Sequence, residues 1–220
     1  MRFTVVYDNE ALNGFKKDWG FSCLIGENVL FDTGARYDTL RHNIDRLKVN
    51  LSKIDTIVLS HFHGDHTGGI DVVRYLDKVQ VVTPKSFFKQ MKVRLSRFEN
   101  VEMVEITEAV EIAKGIISTG ELGEMGEQSL LIHTAKGIVV VTGCSHPGVG
   151  LILHVARQFG PVYGIIGGFH GFDELKALEG IEVIVPCHCT KHKKRILSTF
   201  PETSMSCAAG CIFDILFFKS

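Results

Sequence analysis

Long apolar runs and an excess of charge are both missing from this chain of 220 residues. No apolar stretch is as long as the roughly 20 residues that a membrane-spanning helix needs. The formal net charge is only −1 at pH 7, so the surface offers no broad electrostatic attraction to nucleic acid or to an anionic membrane. We therefore expect no membrane partner, regard nucleic acid as an unlikely partner, and leave the oligomeric state open.

Signals of secretion and of separate domains are also missing. The first residues, Met1 to Asp8, alternate as a β-strand does and contain neither the apolar segment nor the cleavage site of a signal peptide. Six cysteines without such a leader favour reduced thiols, so we expect a cytoplasmic protein. No linker or low-complexity stretch divides the sequence, which predicts one domain over residues 1–220, with two similar halves of about 1–120 and 121–220.

Short apolar segments between turn residues predict strands in both halves, and segments with helical spacing lie between them. The predicted strands are residues 2–7, 21–25, 29–31, 56–59, 79–82, 101–106, 110–113, 116–119, 129–133, 138–142, 162–166, 181–185 and 211–218. The predicted helices are residues 38–49, 70–76, 149–159, 173–178 and 191–200. The cationic segment 85–99 is either a surface helix or a lid over a site. This pattern predicts an α/β fold of two packed sheets with helices outside.

The stretch from Ser60 to Gly69 concentrates potential metal ligands. Three histidines and one aspartate occupy it within six positions, namely His61, His63, Asp65 and His66. A continuous apolar run of the kind buried on both faces of a sheet precedes them, and two glycines follow. Neutral imidazoles and carboxylates bind zinc and other borderline divalent metals. The pattern therefore predicts a metal site rather than a histidine-rich surface turn.

Three later predicted strands each end in a loop with a histidine just past the strand, at His146, His170 and His188. Loops at strand ends are where a rigid sheet presents binding and catalytic groups. These histidines are therefore further candidates for the same site.

The spacing His-x-His-x-Asp-His at residues 61–66 resembles the hallmark of the metallo-β-lactamase superfamily. Further motifs follow, and together they resemble the branch named for 7,8-dihydropterin-6-methyl-4-(β-ribofuranosyl)aminobenzene-5′-phosphate synthase. They are Asp32-Thr33-Gly34, Glu127-Gln128-Ser129-Leu130, Thr142-Gly143-Cys144-Ser145-His146, Gly167-Gly168-Phe169-His170 and Cys187-His188-Cys189-Thr190. The resemblance implies a four-layer αββα sandwich of two mixed sheets.

The resemblance also implies two divalent ions, zinc first, with iron or manganese as alternatives. The first ion would take His61, His63 and His146, and the second would take Asp65, His66 and His188. Many relatives place a bridging aspartate after the intervening strand, where this chain has His170. That histidine is therefore a candidate for binding a metal, the leaving group or a phosphate. Asp32 is a candidate for fixing the tautomer of a ligand histidine, or else it is a turn former.

Two divalent ions about 3.5–4 Å apart share a water molecule and lower its pKa towards neutrality. We therefore predict a metal-dependent hydrolase, or an enzyme that displaces a phosphoryl or pyrophosphoryl group, with a dihydropterin or another phosphorylated small molecule as substrate. Asp65 would both ligate a metal and orient the water. No G-x-S-x-G motif for a serine nucleophile occurs in the sequence. Two alternatives stay open: a mono-iron enzyme resembling persulfide dioxygenases, and a metal-binding module without catalytic activity.

Cys187 and Cys189 flank His188 and could form a separate zinc site with it and His192, while Cys207 and Cys211 could pair, bind a metal or simply pack. Their spacing is not that of a zinc ribbon. Free cysteines are often buried, so packing is the expected role.

Overall fold

The computed structural model describes residues 1–87 and 89–215. The strands are β1 Arg2–Tyr7, β2 Ser22–Ile25, β3 Val29–Phe31, β4 Thr56–Val58, β5 Val79–Pro84, β6 Val101–Ile106, β7 Val110–Ala113, β8 Ile116–Ser118, β9 Leu130–Thr134, β10 Gly137–Thr142, β11 Val162–Gly168, β12 Val183–Cys187 and β13 Ile212–Asp214. The α-helices are α1 Tyr37–Leu47, α2 Gly64–Thr67, α3 Lys89–Leu95, α4 Val149–Arg157 and α5 Lys193–Thr199. Within the described residues, none of these helices combines the length and apolar character that crossing a bilayer requires.

The strands form two mixed sheets. The first has the order β13-β1-β2-β3-β4-β5-β6, and the second has the order β12-β11-β10-β9-β8-β7. In the first sheet β3, β4, β5 and β6 run parallel to one another. In the second sheet β10, β11 and β12 run parallel. The predicted αββα sandwich is confirmed.

Alternation along the strands explains why the two sheets stack and why helices cover them. Successive side chains of a strand point to opposite faces. In β10, Val139 and Val141 lie in the apolar cluster between the sheets, whereas Ile138 and Val140 pack against residues of α4. A fully buried side chain of this size contributes roughly 1.5–3 kcal/mol through burial. The continuous apolar runs in the sequence therefore correspond to strands covered on both faces.

Several predicted elements differ from the observed ones. Segments 70–76 and 173–178 form 3₁₀ turns, Ile70–Tyr75 and Leu175–Leu178, rather than α-helices. The cationic segment forms a surface helix, because Phe87 and Leu95 are buried in the apolar cluster on the outer face of the first sheet. The last predicted strand is shorter than expected, and its residues 216–218 lie outside the described part of the chain, as does Phe88.

The carboxyl ends of parallel strands from both sheets meet at one edge of the molecule. Gln128, just before β9, joins the sheets there: its Nε2 donates to the Leu59 carbonyl at 2.9 Å, and its backbone N–H donates to the Ser60 carbonyl at 2.9 Å. In α/β sheets, ligands bind beyond the carboxyl ends of the strands. The loops that carry the predicted ligand residues all lie at this edge.

Candidate metal centre

Asp32, directly after β3, organises the loop that follows β4. Its side chain is fully buried, and Oδ1 accepts from the Ser60 N–H at 2.7 Å. Oδ2 accepts from the Ser60 hydroxyl at 2.7 Å and lies 2.6 Å from Nδ1 of His66. Because the Ser60 hydroxyl donates to Asp32, its oxygen is left to accept from Nδ1 of His61, at 2.9 Å. One carboxylate therefore contacts two predicted ligands, His66 directly and His61 through Ser60, and its role in fixing their tautomers stays a prediction.

The two glycines after the histidine-rich stretch let α2 lie against the chain that follows β3. A Cβ on Gly68 would collide with the carbonyl oxygen of Ala35, and a Cβ on Gly69 would collide with that of Thr33. The backbone carbonyl of His66 also accepts from the Thr33 N–H at 2.8 Å. Close backbone approach thus places Asp65 and His66 at the sheet edge.

Three histidines form the first candidate ligand group, with atoms that lie within 4.8 Å of one another: His61, His63 and His146. Nε2 of His61 is 3.0 Å from Nδ1 of His63. The His146 ring centroid lies 4.7 Å from that of His61 and 5.0 Å from that of His63. When they are neutral, three imidazoles that converge in this way can present nitrogen lone pairs to one ion.

Glu127 holds the loop that carries His146. Its side chain is fully buried, and Oε1 accepts from the backbone N–H groups of Cys144 and Ser145 at 2.8 and 2.9 Å. Oε2 accepts from the His146 N–H at 2.9 Å and from Nδ1 of its ring at 2.7 Å. Burial alone would raise the pKa of Glu127, but the hydrogen bonds from His146 lower it to about 2. The carboxylate fixes His146 with Nδ1 as donor, which leaves Nε2 to face the first group.

The second candidate ligand group combines a carboxylate, two imidazoles and a thiol: Asp65, His66, Cys144 and His188. Nε2 of His188 is 3.1 Å from Oδ2 of Asp65, and Nε2 of His66 is 3.2 Å from Sγ of Cys144. Sγ of Cys189 lies 3.4 Å from that of Cys144. Imidazole, carboxylate and thiolate ligands suit zinc and iron better than magnesium or calcium, which prefer oxygen.

Electrostatics keep these groups ready to bind a cation. Burial lowers the pKa of His61 to about 3, and it also lowers the pKa values of His63 and His66. These imidazoles are therefore neutral near pH 7, which is the form that coordinates a metal. Burial would raise the pKa of Asp65, but its close contact with His188 and the neighbouring His66 lower it well below the usual range. Burial raises the pKa of Asp32 to about 7, and the nearby His61 and the hydrogen bonds from Ser60 offset only part of that rise.

Four residues just past strand ends have left-handed backbone conformations. Asp32 (φ +55°) and His188 (+45°) directly follow β3 and β12, whereas His170 (+45°) and Ser145 (+58°) lie in the loops after β11 and β10. Such conformations are strained for residues other than glycine. His170 is exposed, and its ring centroid lies 5.2 Å from that of His146. It thus borders the first ligand group without belonging to either group.

A third group of ligand-type side chains lies behind His188 in the core: Asp8, Cys187 and Cys207, all buried. Both oxygens of Asp8 already accept backbone N–H groups, from His188 at 2.6 Å and from Glu10 at 3.1 Å. Burial raises the pKa values of both thiols. Both cysteines are buried, and packing as small apolar side chains stays the predicted role.

The structure thus brings all six predicted metal ligands to one sheet edge, in the grouping that the sequence predicted. Sequence reasoning missed other residues of the site, among them Cys144 and Glu127. A signal existed for Cys144, because it stands at a predicted strand end two positions before His146. For Glu127 the only signal was its membership in a quoted motif.

Comparisons with known proteins agree with this geometry. The family model of the metallo-beta-lactamase superfamily matches residues 22–188. The structure is similar to Tm1679, described as a metal-dependent hydrolase of the beta-lactamase superfamily, with a TM-score of 0.82, 29% identity, and coverage of 98% of this chain and 99% of that chain.

Two curated relatives come from Methanocaldococcus jannaschii. One is 27% identical over 86% of this chain and 84% of its own length, and is named 7,8-dihydropterin-6-methyl-4-(beta-D-ribofuranosyl)-aminobenzene-5'-phosphate synthase. The other is 30% identical over 86% of this chain and 90% of its own length, and is an uncharacterized protein.

Proposed function

This chain belongs to the metallo-beta-lactamase superfamily, and we propose that it is a metal-dependent enzyme with a dinuclear site that hydrolyses, or displaces a phosphoryl or pyrophosphoryl group from, a phosphorylated small molecule. Zinc is the first choice of metal, with iron or manganese as alternatives. The donor sets fit such ions, since one group has three imidazoles and the other combines two imidazoles with a carboxylate and a thiol.

The observation that carries the proposal is that the two ligand groups adjoin each other. The ring of His61 in the first group lies 4.3 Å from the ring of His66 in the second. When bound, two neighbouring divalent ions lower the pKa of a shared water and neutralise charge that develops on the substrate. A mono-iron enzyme would need only one of these groups, so the second group disfavours the persulfide-dioxygenase alternative.

Residues of this chain would have separate roles in orienting the reacting groups and the metal ligands. Asp65 lies at the edge of the second group. Because its carboxylate is ionised, it can accept a hydrogen bond from a proton-bearing group and orient that group. Glu127, Asp32 and Ser60 hold ligand imidazoles in one tautomer. His170, exposed beside the first group, is placed to contact a leaving group or a phosphate.

An open cleft of about 530 Å³ adjoins the first group and accounts for a small-molecule substrate. It begins at His146 and His170 and extends over Gly148 to Asp173 and Glu174. An anionic group of the substrate would lie at the metal end, and amino or hydroxyl donors would face the two carboxylates. A phosphorylated dihydropterin would satisfy both requirements, with its phosphate as the anionic group and its amino group as the donor, and so would other phosphorylated compounds that carry hydrogen-bond donors.

The thiols agree with a reducing compartment such as the cytoplasm. All six cysteines lie in the described part of the chain, and all six are unpaired there. Disulfides persist mainly in oxidising compartments. We therefore propose a cytoplasmic location.

The test is a metal analysis of the purified protein, followed by assays on phosphodiester, phosphomonoester, pyrophosphate, thioester and lactone substrates. We expect two bound ions per chain and turnover of a phosphorylated substrate that a chelator abolishes. The variant His61→Ala/His63→Ala should lose that turnover. Replacing His133, an exposed histidine on β9, by alanine is the matched control and should leave it unchanged.

Full activity after chelation or in the double variant would refute metal-dependent catalysis. Bound metal without turnover of any substrate class would instead identify a binding module.

A further inference from the structure

The loop between β1 and β2 crosses from the first sheet to the end of β12 in the second sheet. Three residues near its two ends contact His188, namely Asp8, Asn9 and Trp19. The sequence pattern alone assigned no role to this loop, since residues 8–17 are mostly polar and contain no metal-ligand motif. Its contacts surround the histidine that completes the second ligand group.

Asn9 makes two hydrogen bonds with His188 and one with its own loop. Oδ1 accepts from the Gly20 N–H at 3.1 Å and lies 2.9 Å from Nδ1 of His188. Nδ2 donates to the His188 carbonyl at 3.0 Å. The backbone N–H of Gly20 is always a donor, so the amide atom that faces it is the oxygen. Nδ1 of His188 must therefore be a donor as well.

This assignment determines the other ring nitrogen. In a neutral imidazole, a proton on Nδ1 leaves Nε2 as a lone pair. Nε2 of His188 faces Oδ2 of Asp65 at 3.1 Å, and Oδ2 is an acceptor too. Two acceptors turned towards each other form the arrangement that a shared cation satisfies.

Backbone contacts keep His188 in place despite its strained conformation. Its φ is +45°, and its N–H donates to Oδ1 of the buried Asp8 at 2.6 Å. The edge of Trp19 packs on the ring, with centroids 5.0 Å apart and an interplanar angle of 61°. The loop thus fixes the N–H, the carbonyl and the ring of one ligand.

We propose that Asn9 is a positioning residue that holds His188 in the Nδ1–H tautomer and thereby determines the affinity of the second metal position. The inference rests on the proposed function, because it assumes that this position binds a metal. Partners of ligand histidines of this kind typically change metal affinity by about 10–100-fold when they are removed.

The experiment compares three variants of the full chain by titration with Co²⁺ or Zn²⁺. Asn9→Leu removes the acceptor, Asn9→Asp keeps an acceptor but loses the donor to the His188 carbonyl, and Asn13→Leu changes an exposed asparagine of the same loop. We expect Asn9→Leu to bind the second ion about 10–100-fold more weakly and the first ion normally. Asn9→Asp should stay within a few-fold of the parent protein, and Asn13→Leu should match it.

Two readouts other than activity follow the second position. Trp19 is the single tryptophan of the chain, so quenching of its fluorescence by Co²⁺ reports an ion bound beside His188. Nitrogen chemical shifts of His188 report its tautomer directly. In the parent protein we expect the proton on Nδ1, and this measurement stands even if Asn9→Leu does not fold.

Three outcomes would overturn the inference while leaving the proposed function intact. They are equal loss of the second ion in Asn9→Asp and Asn9→Leu, normal binding in Asn9→Leu, and a proton on Nε2 of His188 in the parent protein. A parent protein that binds no divalent ion would refute the proposed function instead.

Discussion

Replacing Glu127 by glutamine tests whether the hydrogen bonds that Glu127 accepts determine the metal affinity of the first ligand group. The change removes a charge and keeps the shape. The carboxylate accepts four hydrogen bonds, two on each oxygen, and all four donors belong to residues 144–146. A glutamine has one oxygen, so its amide nitrogen must face two of those donors.

The two orientations of the amide differ in cost. With the nitrogen in place of Oε1, two backbone N–H groups lose their acceptor. With the nitrogen in place of Oε2, only the His146 N–H does, because the imidazole can move its proton to Nε2 and accept at Nδ1. A hydrogen bond to a charged group contributes about 1.5–3 kcal/mol, so the second orientation costs about that amount and the first about twice as much.

The orientation that costs less stability impairs metal binding. It puts the proton of His146 on Nε2, the nitrogen that faces the first ligand group. We therefore expect Glu127→Gln to lower the free energy of unfolding by about 1.5–3 kcal/mol. We also expect it to weaken the first metal position by about 10–100-fold.

Urea unfolding of the metal-free protein, zinc titration and nitrogen chemical shifts of His146 measure the three effects. Glu124→Gln, an exposed change three residues away, is the matched control. Unchanged zinc affinity together with an unchanged His146 tautomer would refute the reasoning, because the glutamine would then have satisfied the loop in some other way.

Three further predictions follow from individual contacts. Cys144→Ser should remove the sulfur-to-metal charge-transfer absorption of the Co²⁺-loaded protein and weaken its second ion, and retention of that band would show that the thiol is not a ligand. Gly68→Ala should destabilise the protein by about 3 kcal/mol in chemical denaturation, because its Cβ meets the fixed Ala35 carbonyl, whereas Gly150→Ala, with open space around the Cβ, should not destabilise it. His170→Ala should lower kcat about 10²–10⁴-fold if the histidine transfers a proton to the leaving group, with two metals still bound; a change in KM alone would assign it to binding.

The parts of the site that were predictable from sequence are those in which local spacing determines geometry. Residues 61–66 lie on the loop and short helix α2 that follow a buried strand, so their closeness to one another follows from local spacing, and contacts with the chain after β3 then orient them. His146 and His188 were placed by resemblance, and their joint position depends on the parallel pairing of β10, β11 and β12. No local pattern reveals that pairing.

The residues that sequence reasoning missed also depend on contacts between distant parts of the chain. Glu127 acts on His146 across 19 positions, and Asn9 acts on His188 across 179. Cys144 reaches His66 across 78 positions. Each of these contacts exists only after segments distant in sequence have come together, so even where a residue stood near a predicted strand end, as Cys144 did, the sequence did not identify its partner.

The fold tolerates strained backbone at the site because its apolar clusters lie elsewhere and stabilise the chain. The apolar clusters between the sheets and on their outer faces follow simple alternation, and they supply the burial that stabilises the chain. At the sheet edge the local rules are broken, with left-handed backbone at Asp32, Ser145, His170 and His188 and with buried carboxylates at Asp32 and Glu127. A left-handed residue with a side chain costs roughly 1–2 kcal/mol. Hydrogen bonds to the buried carboxylates offset part of that cost, and the same bonds orient the ligand imidazoles, so the interactions that stabilise the strained loops also shape the metal centre.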